Sequence, residues 1–385
     1  MTRRLPLPAG SEPRAFAAIA AAAAFGLLLT GLGGCSDGSA DTPPPSSPAP
    51  SAVSLEPALR DAAPDGFFVG AAVGGGGHLG GNDTLKLPDV AGLVGKQFSS
   101  VTPENAAKWE VIEPSQGTFD FGPMDEVVAF AQAHGQRVRG HNLLWHSQNP
   151  AWLTSGSLTP DQLRQILHDH ISAVVGRYAG KVAQWDVANE IFDDSGQPRQ
   201  ENPFIKALGI GIVADAFRWA HEADPHAVLF LNDFGVETPG PKVDAYVALV
   251  KQLQADGVPV GGFGIQGHLA SQYGFPGGLQ GVMQQLADLG LDVEVTELDV
   301  RVPVSAAGEA QRVDVLEQAR WYGKVATACL AVARCTGITV WGVSDRYSWV
   351  PTTFPGEGAA LLFDDALAPK PAFAAFREAL AAGRG

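Results

Sequence analysis

The stretch Val182-Ala183-Gln184-Trp185-Asp186-Val187-Ala188-Asn189-Glu190 shows how this chain is built. The part from Val182 to Ala188 is short and largely apolar, which is typical of a buried strand in a parallel sheet. Asn189 and Glu190 follow directly, so the predicted strand ends in polar side chains. The stretch therefore predicts one strand of an α/β fold with functional groups at its carboxyl end.

Similar apolar runs recur along the chain. The eight predicted strands are Phe67–Val73, Gln97–Thr102, Arg137–Leu144, Val182–Ala188, Val228–Leu231, Gly262–Gln266, Val293–Glu297 and Ile338–Val343. Eight strands that alternate with helices predict a closed (β/α)8 TIM barrel rather than an open doubly wound sheet. The glycine-rich segment Gly74–Gly81 is not followed by a helix, so it is interpreted as a loop at the barrel mouth and not as a dinucleotide-binding turn.

Amphipathic segments between these runs predict the helices. Thr159-Pro160 and Asn202-Pro203 each place a capping residue before a proline, which is typical of a helix start. The helix after Asn202-Pro203 is expected to run through Phe204 to Ala220. Further helices are predicted over Pro239–Ala255, Leu279–Leu289 and Val313–Val332.

The N-terminus indicates export. Arginines precede an apolar run from Ala15 to Leu32, which is typical of a signal peptide. Leu32-Gly33-Gly34-Cys35 resembles a bacterial lipobox, so residues 1–35 are predicted to be a lipoprotein-type signal peptide with a lipidated Cys35. An ordinary signal peptide cut near Gly34 is the alternative. The protein is therefore expected in the cell envelope, anchored to the membrane only through this lipid, or secreted.

The composition of the chain limits its domain organisation and its possible partners. Residues 36–54 are rich in Ser and Pro and predict a flexible linker, so one catalytic domain is expected over 55–385. The chain carries a formal net charge of -15 and has a pI of about 4.9. This charge argues against nucleic acid as a partner and fits a neutral polysaccharide better than a polyanion. An open cleft on one domain would suit a monomer.

Two glutamates at predicted strand ends suggest the chemistry. Glu190 and Glu297 end the fourth and seventh strands, and the active sites of such barrels lie at the carboxyl ends of the strands. Glycosidases need two carboxyl groups that flank the bond to be cut. Indoles and amides also follow several strands, and these groups stack on sugar rings and bind their hydroxyls.

Several histidines and two cysteines are candidate metal ligands. His141 and His146 lie five residues apart on or near a strand, which does not match the helical spacing of a metalloprotease. His141 and His268 are expected to bind the substrate and the nucleophile through hydrogen bonds, and His146 is expected to support the core or the residues behind the site. Neither a metal nor another cofactor is therefore predicted. Export permits a disulfide between Cys329 and Cys335, while free thiols or a metal pair stay open as alternatives.

The chain resembles glycoside hydrolase family 10, the endo-1,4-β-xylanases, in a series of motifs. The motifs that carry the resemblance occur in family order: Thr102-Pro103-Glu104-Asn105-x-x-Lys108-Trp109, Arg139-Gly140-His141-x-Leu143-x-Trp145-His146-Ser147-Gln148, Trp185-Asp186-Val187-x-Asn189-Glu190, Asn232-Asp233, Gln266-x-His268, Thr296-Glu297-Leu298-Asp299 and Trp341-Gly342-Val343-x-Asp345-x-x-Ser348-Trp349. They extend from about Phe67 to Phe373.

The resemblance implies a retaining cleavage of xylan with named roles. Glu190 takes the acid/base place and Glu297 the nucleophile place, Asn189 binds the 2-hydroxyl of the sugar, and His268 orients Glu297. The other implied contacts are Lys108, His141, Trp145 and Gln266 at the sugar next to the cut, Glu104, Asn105, Gln148 and Trp341 at the next sugar outward, and Trp349 over the cleft. His146 and Asp299 take supporting places, and Cys329 and Cys335 match a disulfide found in many members.

The chain also departs from the family pattern. Phe234-Gly235 replaces the usual Tyr-Asn, which puts substrate contacts beyond the cut site in doubt. The alternatives to a xylanase are a hydrolase of another β-glycan, a non-catalytic polysaccharide-binding surface lipoprotein, and a metal hydrolase on the same fold.

Overall fold

The computed structural model describes residues 53–74 and 83–383, and this part contains a closed barrel of eight parallel strands. The barrel strands are β1 (Phe68–Val73), β2 (Ser100–Pro103), β3 (Arg137–Leu144), β4 (Gln184–Asn189), β5 (Val228–Asp233), β6 (Gly262–Ile265), β8 (Asp292–Pro303) and β9 (Cys335–Val340). Two short strands, β7 (His268–Ala270) and β10 (Glu357–Gly358), pair with the long outer part of β8. The predicted signal peptide, the linker up to residue 52 and the loop over 75–82 lie outside the described residues.

Closure of the barrel follows from the strand pairing. β1 pairs in parallel with β2 and with β9, and β9 pairs in parallel with β8, so the sheet has no free edge in the barrel. Since all pairs in the ring are parallel, the carboxyl ends of all eight strands meet at one mouth. The predicted (β/α)8 barrel is thus confirmed.

Helices cover the outside of the barrel. They are α1 (Leu59–Ala62), α2 (Pro88–Gln97), α3 (Trp109–Ile112), α4 (Gly122–Ala133), α5 (Ala151–Thr154), α6 (Pro160–Arg177), α7 (Pro203–Leu208), α8 (Ile212–Ala223), α9 (Pro241–Ala255), α10 (Leu279–Ala287), α11 (Arg312–Leu330), α12 (Val350–Thr353) and α13 (Pro371–Ala382). Helix α6 begins as predicted, since the Gln162 backbone N–H donates to Thr159 Oγ1 over 3.3 Å. No helix of the described residues is long and apolar enough to span a bilayer.

Several predicted boundaries were wrong. Gln97 was assigned to the second strand but ends helix α2, where its Oε1 accepts the Leu59 backbone N–H over 3.0 Å. The single helix predicted from Asn202-Pro203 is two helices, because Gly209 has a φ of 75° and interrupts the helical backbone. The eighth strand runs over Cys335–Val340 and stops before Gly342, whose φ is 130°.

The barrel interior contains a buried polar cluster instead of a purely apolar core. Arg139 donates through Nε to Asp186 Oδ2 over 3.0 Å and through Nη1 to Glu294 Oε2 over 3.0 Å. Gly264 leaves room for the side chains of Arg139 and the neighbouring Asn232. A Cβ at this position would lie 2.2 Å from Asn232 Oδ1 and 3.1 Å from Arg139 Nη2. The apolar core joins residues of the strands with residues of the surrounding helices.

A disulfide closes the turn between α11 and β9. Cys329 and Cys335 are bonded, with their Cα atoms 5.4 Å apart. Of the possibilities left open from the residues, the disulfide is therefore the one that the structure contains.

Candidate active site

The mouth of the barrel contains a cavity of about 580 Å³. Its walls are Glu104, Lys108, His141, Trp145, Gln148, Glu190, Phe234, Gly235, Glu237, Gln266, His268, Glu297, Arg301, Trp341, Trp349 and Phe354. Both glutamates singled out from the sequence face this one space. Its aromatic rings can stack on sugars, and its amides and charged groups can bind hydroxyls.

Glu297 lies among hydrogen-bond donors and cationic groups. Its Oε1 accepts from Asn232 Nδ2 over 2.8 Å, and its Oε2 lies 3.2 Å from His268 Nε2. Burial alone would raise the pKa of Glu297, but His141 and His268 beside the carboxylate hold that pKa below its usual range. Glu297 is therefore kept ionised, as a nucleophile must be.

His268 is held between two carboxylates. Its Nδ1 lies 3.0 Å from Asp299 Oδ2, which also accepts from Trp349 Nε1 over 2.8 Å. Burial would lower the pKa of His268, but Asp299 and Glu297 raise it to about 10. The imidazole is consequently a cation at neutral pH and can donate from both ring nitrogens.

Glu190 has a different set of partners. Its Oε1 accepts from Gln266 Nε2 over 3.0 Å and from Asn189 Nδ2 over 3.2 Å, and its Oε2 lies 3.6 Å from His146 Nδ1. Burial lowers the pKa of His146, so this neighbour is neutral at neutral pH. The direct contacts of Glu190 are thus neutral, whereas Glu297 contacts a cation. The two carboxyl groups therefore lie in electrostatically unlike surroundings.

One amide connects the two carboxyl-bearing strands. Asn232, in β5, donates from Nδ2 to Asn189 Oδ1 over 2.8 Å as well as to Glu297. Its own Oδ1 accepts from Thr296 Oγ1 over 2.6 Å. These contacts fix the end of β4 relative to the middle of β8, and so fix the spacing of the two carboxyl groups.

Polar groups on the loop after β2 form another wall. Lys108 Nζ donates to Asn105 Oδ1 over 3.2 Å and lies 4.9 Å from the ring centroid of Trp145. Gln148 Nε2 donates to the same Asn105 oxygen over 3.3 Å. Burial raises the pKa of Glu104 and lowers that of Lys108. Both groups have lost contacts with water, and the hydroxyl groups of a neutral ligand could replace those contacts.

Four predicted site residues do not line the cavity. Asn105, Asn189, His146 and Asp299 lie directly behind its wall, where each contacts a residue that does line it. Asn189 is fully buried, with its amide turned to Glu190 and Asn232. The remaining predicted residues are brought together around the cavity.

The structure adds wall residues that received no role from the sequence. Phe234 was noted only as a departure from a motif, and Glu237 follows it closely, so the end of β5 was an available signal. Asn232, which lies behind the wall, was noted only as part of the same motif. Arg301 and Phe354 gave no such signal, because they become neighbours only through the long β8, which extends past the barrel. Across the described residues, no group of three or more His, Cys, Asp or Glu side chains is placed to hold a metal ion.

Comparison with known proteins gives a consistent result. A family model described as Glycosyl hydrolase family 10 matches residues 58–379. Endo-1,4-beta-xylanase A of Fusarium oxysporum f. sp. lycopersici is 40% identical over 285 residues, which is 72% of this chain and 86% of that protein. Beta-1,4-xylanase of Dictyoglomus thermophilum is 39% identical over 327 residues, which is 82% of this chain and 89% of that protein.

A solved structure agrees as well. Xylanase 10B from Thermotoga petrophila RKU-1, in complex with xylobiose, superposes with a TM-score of 0.80 at 35% identity, covering 85% of this chain and 98% of that one. The family match spans most of the chain and both cavity glutamates. The chain belongs to glycosyl hydrolase family 10.

Proposed function

We propose that this chain is a retaining endo-1,4-β-xylanase in which Glu297 is the nucleophile and Glu190 the general acid/base. One observation carries the assignment: both carboxyl groups face the same cavity, and only Glu297 contacts a histidine cation directly. Family membership supplies the retaining stereochemistry. The xylanase relatives and the neighbour with bound xylobiose support β-1,4-linked xylose chains as the substrate.

In the first step Glu297 attacks the anomeric carbon of a xylose unit and forms a glycosyl ester. Glu190 gives its proton to the glycosidic oxygen, so the departing chain leaves as a neutral alcohol. The carboxylate of Glu297 loses its negative charge as the ester forms. His268 and Asn232 orient that carboxylate through its two oxygens.

In the second step Glu190, now ionised, removes a proton from water. The resulting nucleophile attacks the anomeric carbon, and Glu297 leaves as a carboxylate. Two displacements give a product with retained configuration. The cation on His268 stabilises the departing carboxylate, since it lies 3.2 Å from Glu297 Oε2.

We assign the remaining wall residues to sugar binding. The proposed contacts to the sugar at the cut are Lys108, His141, Trp145, Gln266 and His268, and those to the next sugar outward are Glu104, Gln148 and Trp341. Asn189 and Asn105, which lie directly behind the wall, would act on the same two sugars through Glu190 and Lys108. Trp349 would cover the cleft, while His146 and Asp299 would support the two carboxyl groups from behind. A non-catalytic binding protein is not favoured, because both carboxyl groups are present and face the cavity.

The experiment uses the domain from about Leu55 onward and follows reducing sugar released from xylan and from a mixed-linkage β-glucan. Glu297→Gln, which keeps the side-chain shape, should lower kcat on xylan by at least about 10⁴-fold. A 2-deoxy-2-fluoro xylobioside with a good leaving group should attach covalently to Glu297, detectable by peptide mass spectrometry. Attachment at another residue would refute the nucleophile, and release from the glucan alone would refute the substrate.

We further propose that the chain is exported and anchored through a lipid on Cys35, and that it acts as a monomer. Support comes from the apolar run before Cys35 and from the linker-like segment after it. In bacteria expressing the full chain, labelled palmitate should be incorporated, and Cys35→Ala should abolish the label. A label retained by Cys35→Ala would refute the anchor, and elution of the folded domain as a dimer would refute the monomer.

A further inference from the structure

The backbone of Glu190 adopts an unusual conformation. Its φ is 54°, in the left-handed region that L-residues with side chains rarely occupy. Such a conformation persists only where neighbouring groups hold it, and it is often found at functional sites. The groups around the Glu190 peptide therefore contribute to where its carboxyl group lies.

Three hydrogen bonds hold the backbone on either side of Glu190. The Glu190 N–H donates to the Asn232 carbonyl over 2.9 Å, and Arg199 Nε donates to the Glu190 carbonyl over 2.9 Å. The next peptide is held as well, because the Ile191 N–H donates to Tyr246 Oη over 3.3 Å. Side chains from outside β4 thus supply two of these three contacts.

Tyr246 is itself fixed by a buried ion pair. Its hydroxyl donates to Asp233 Oδ2 over 2.6 Å, and Asp233 Oδ1 lies 2.9 Å from Lys242 Nζ. Lys242 Nζ also donates to the Phe234 carbonyl over 2.8 Å and lies 3.9 Å from the centroid of the Phe234 ring. Tyr246, Asp233 and Lys242 are all buried, and they are called the α9 clamp below, since α9 provides the tyrosine and the lysine.

The α9 clamp touches the site only from behind. None of its three members lines the cavity, whereas Glu190 and Phe234, which they hold, both do. The hydroxyl of Tyr246 is the link between the ion pair and the peptide after Glu190, because it accepts from Ile191 and donates to Asp233 at once. Loss of that hydroxyl would free the Ile191 N–H while leaving the cavity wall unchanged.

We propose that the α9 clamp, together with Arg199, is a positioning device for the proton donor: it holds the peptide flanking Glu190 so that the carboxyl group stays beside the glycosidic oxygen. The inference rests on the proposed function of Glu190. Tyr246 and Arg199 are then positioning residues for the acid/base Glu190 only, and not for the nucleophile Glu297. Glu297 is oriented by a separate set of contacts, through His268 and Asn232.

If Tyr246 and Arg199 position only Glu190, the effect of replacing them on kcat/KM should depend on the leaving group. The formation of the glycosyl ester needs a proton donor when the leaving group is a poor one, such as phenol, and needs almost none when it is dinitrophenol. The quantity kcat/KM reports steps up to that ester. A misplaced Glu190 should therefore lower kcat/KM for a phenyl β-xylobioside and leave the value for the dinitrophenyl compound nearly unchanged.

The test compares Tyr246→Phe with the parent domain on both xylobiosides. We expect kcat/KM to fall about 10-fold for the phenyl substrate and to change less than about twofold for the dinitrophenyl substrate. Tyr178→Phe is the matched control, since Tyr178 is also buried and its hydroxyl also donates to an aspartate, Asp125 Oδ1 over 3.0 Å, in helix α4 outside the barrel. It should leave both values unchanged.

A second pair of variants keeps the test open if Tyr246→Phe does not fold. Arg199→Met should show the same dependence on the leaving group, and Arg199→Lys should restore part of the loss by donating to the Glu190 carbonyl. Equal losses on both substrates, or no loss on either, would overturn the inference. Glu190→Ala distinguishes this from a wrong proposed function, because its failure to show the leaving-group dependence would refute the role of Glu190 itself.

Discussion

Asp299→Asn removes a charge from behind His268 while keeping the shape of the side chain. Asp299 Oδ2 accepts from His268 Nδ1 and from Trp349 Nε1. Because the indole N–H can only donate, the new amide must present its oxygen to both donors. The hydrogen bonds to His268 and Trp349 are then preserved, while the negative charge behind His268 is lost.

The expected change in the pKa of His268 can be worked from its surroundings. Burial is the largest influence and lowers that pKa, whereas contacts with Asp299 and Glu297 raise it to about 10. Asp299 is the larger of the two influences that raise that pKa, ahead of Glu297. Without its charge, the pKa of His268 should fall, and each unit of that fall weakens the preference for the cation by about 1.4 kcal/mol.

This change makes the expected loss of activity depend on pH. Where His268 is protonated, the variant holds a histidine cation without its Asp299 counter-charge, next to a transition state that resembles an oxocarbenium ion. A unit charge across roughly 6 Å at an effective dielectric constant of about 20 is worth about 3 kcal/mol. The transition state carries only part of that charge, so we expect a loss of about 10-fold in kcat/KM at pH 6. Above the lowered pKa of His268 the imidazole becomes neutral, and the variant should approach the parent.

Two measurements check this reasoning. An NMR titration of the His268 imidazole, assigned with His268→Gln, gives the pKa in the parent and in Asp299→Asn. The ratio of kcat/KM for variant and parent, measured from pH 5 to 9 on an aryl xylobioside, should rise with pH as His268 of the variant loses its proton. A His268 pKa that stays near 10 in the variant, or a ratio that does not depend on pH, would refute the argument.

Three further predictions test other parts of the site and fold. His268→Gln removes the cation that favours ionised Glu297, so the acidic limb of kcat/KM should move to higher pH, in a profile measured from pH 3 to 7; an unmoved limb would contradict this. Trp145→Ala removes a ring of the cavity wall and should lower kcat/KM on xylo-oligosaccharides by about 10-fold or more, with unchanged thermal unfolding. Replacing Cys329 and Cys335 by Ser should lower the free energy of unfolding by about 2 kcal/mol in denaturant titrations and leave kcat unchanged.

The barrel could be predicted because each strand leaves a local signal. The run before Glu190 and the run before Glu297 are short and apolar, and both were placed within one or two residues of the start of their strands. Boundaries set by distant contacts could not be predicted. Gln97 ends helix α2, and its side chain accepts the backbone N–H of Leu59, 38 positions earlier in the chain. No local pattern contains the information about that distant contact.

The candidate site also contains some residues that could be predicted from the sequence and some that could not. Residues at strand ends, such as Glu190 and His268, could be identified because parallel strands bring their carboxyl ends together. Arg301 and Phe354 could not, since they depend on β8 continuing beyond the barrel to pair with Glu357–Gly358. The left-handed backbone of Glu190 also leaves no trace in the sequence, as it results from contacts with side chains far along the chain.

The buried polar cluster joins the stability of the barrel to its chemistry. Charges alternate along it, from Glu294 to Arg139 to Asp186, and Asp186 Oδ2 lies 3.0 Å from His141 Nδ1, which is 4.0 Å from Glu297 Oε1. A buried ion pair adds little net stability over an apolar pair, but the loss of one partner leaves an uncompensated charge. The cluster is therefore poorly explained as a source of stability. It is better explained by a role in catalysis. Asp186 fixes the position of His141, and His141 favours the ionised form of Glu297.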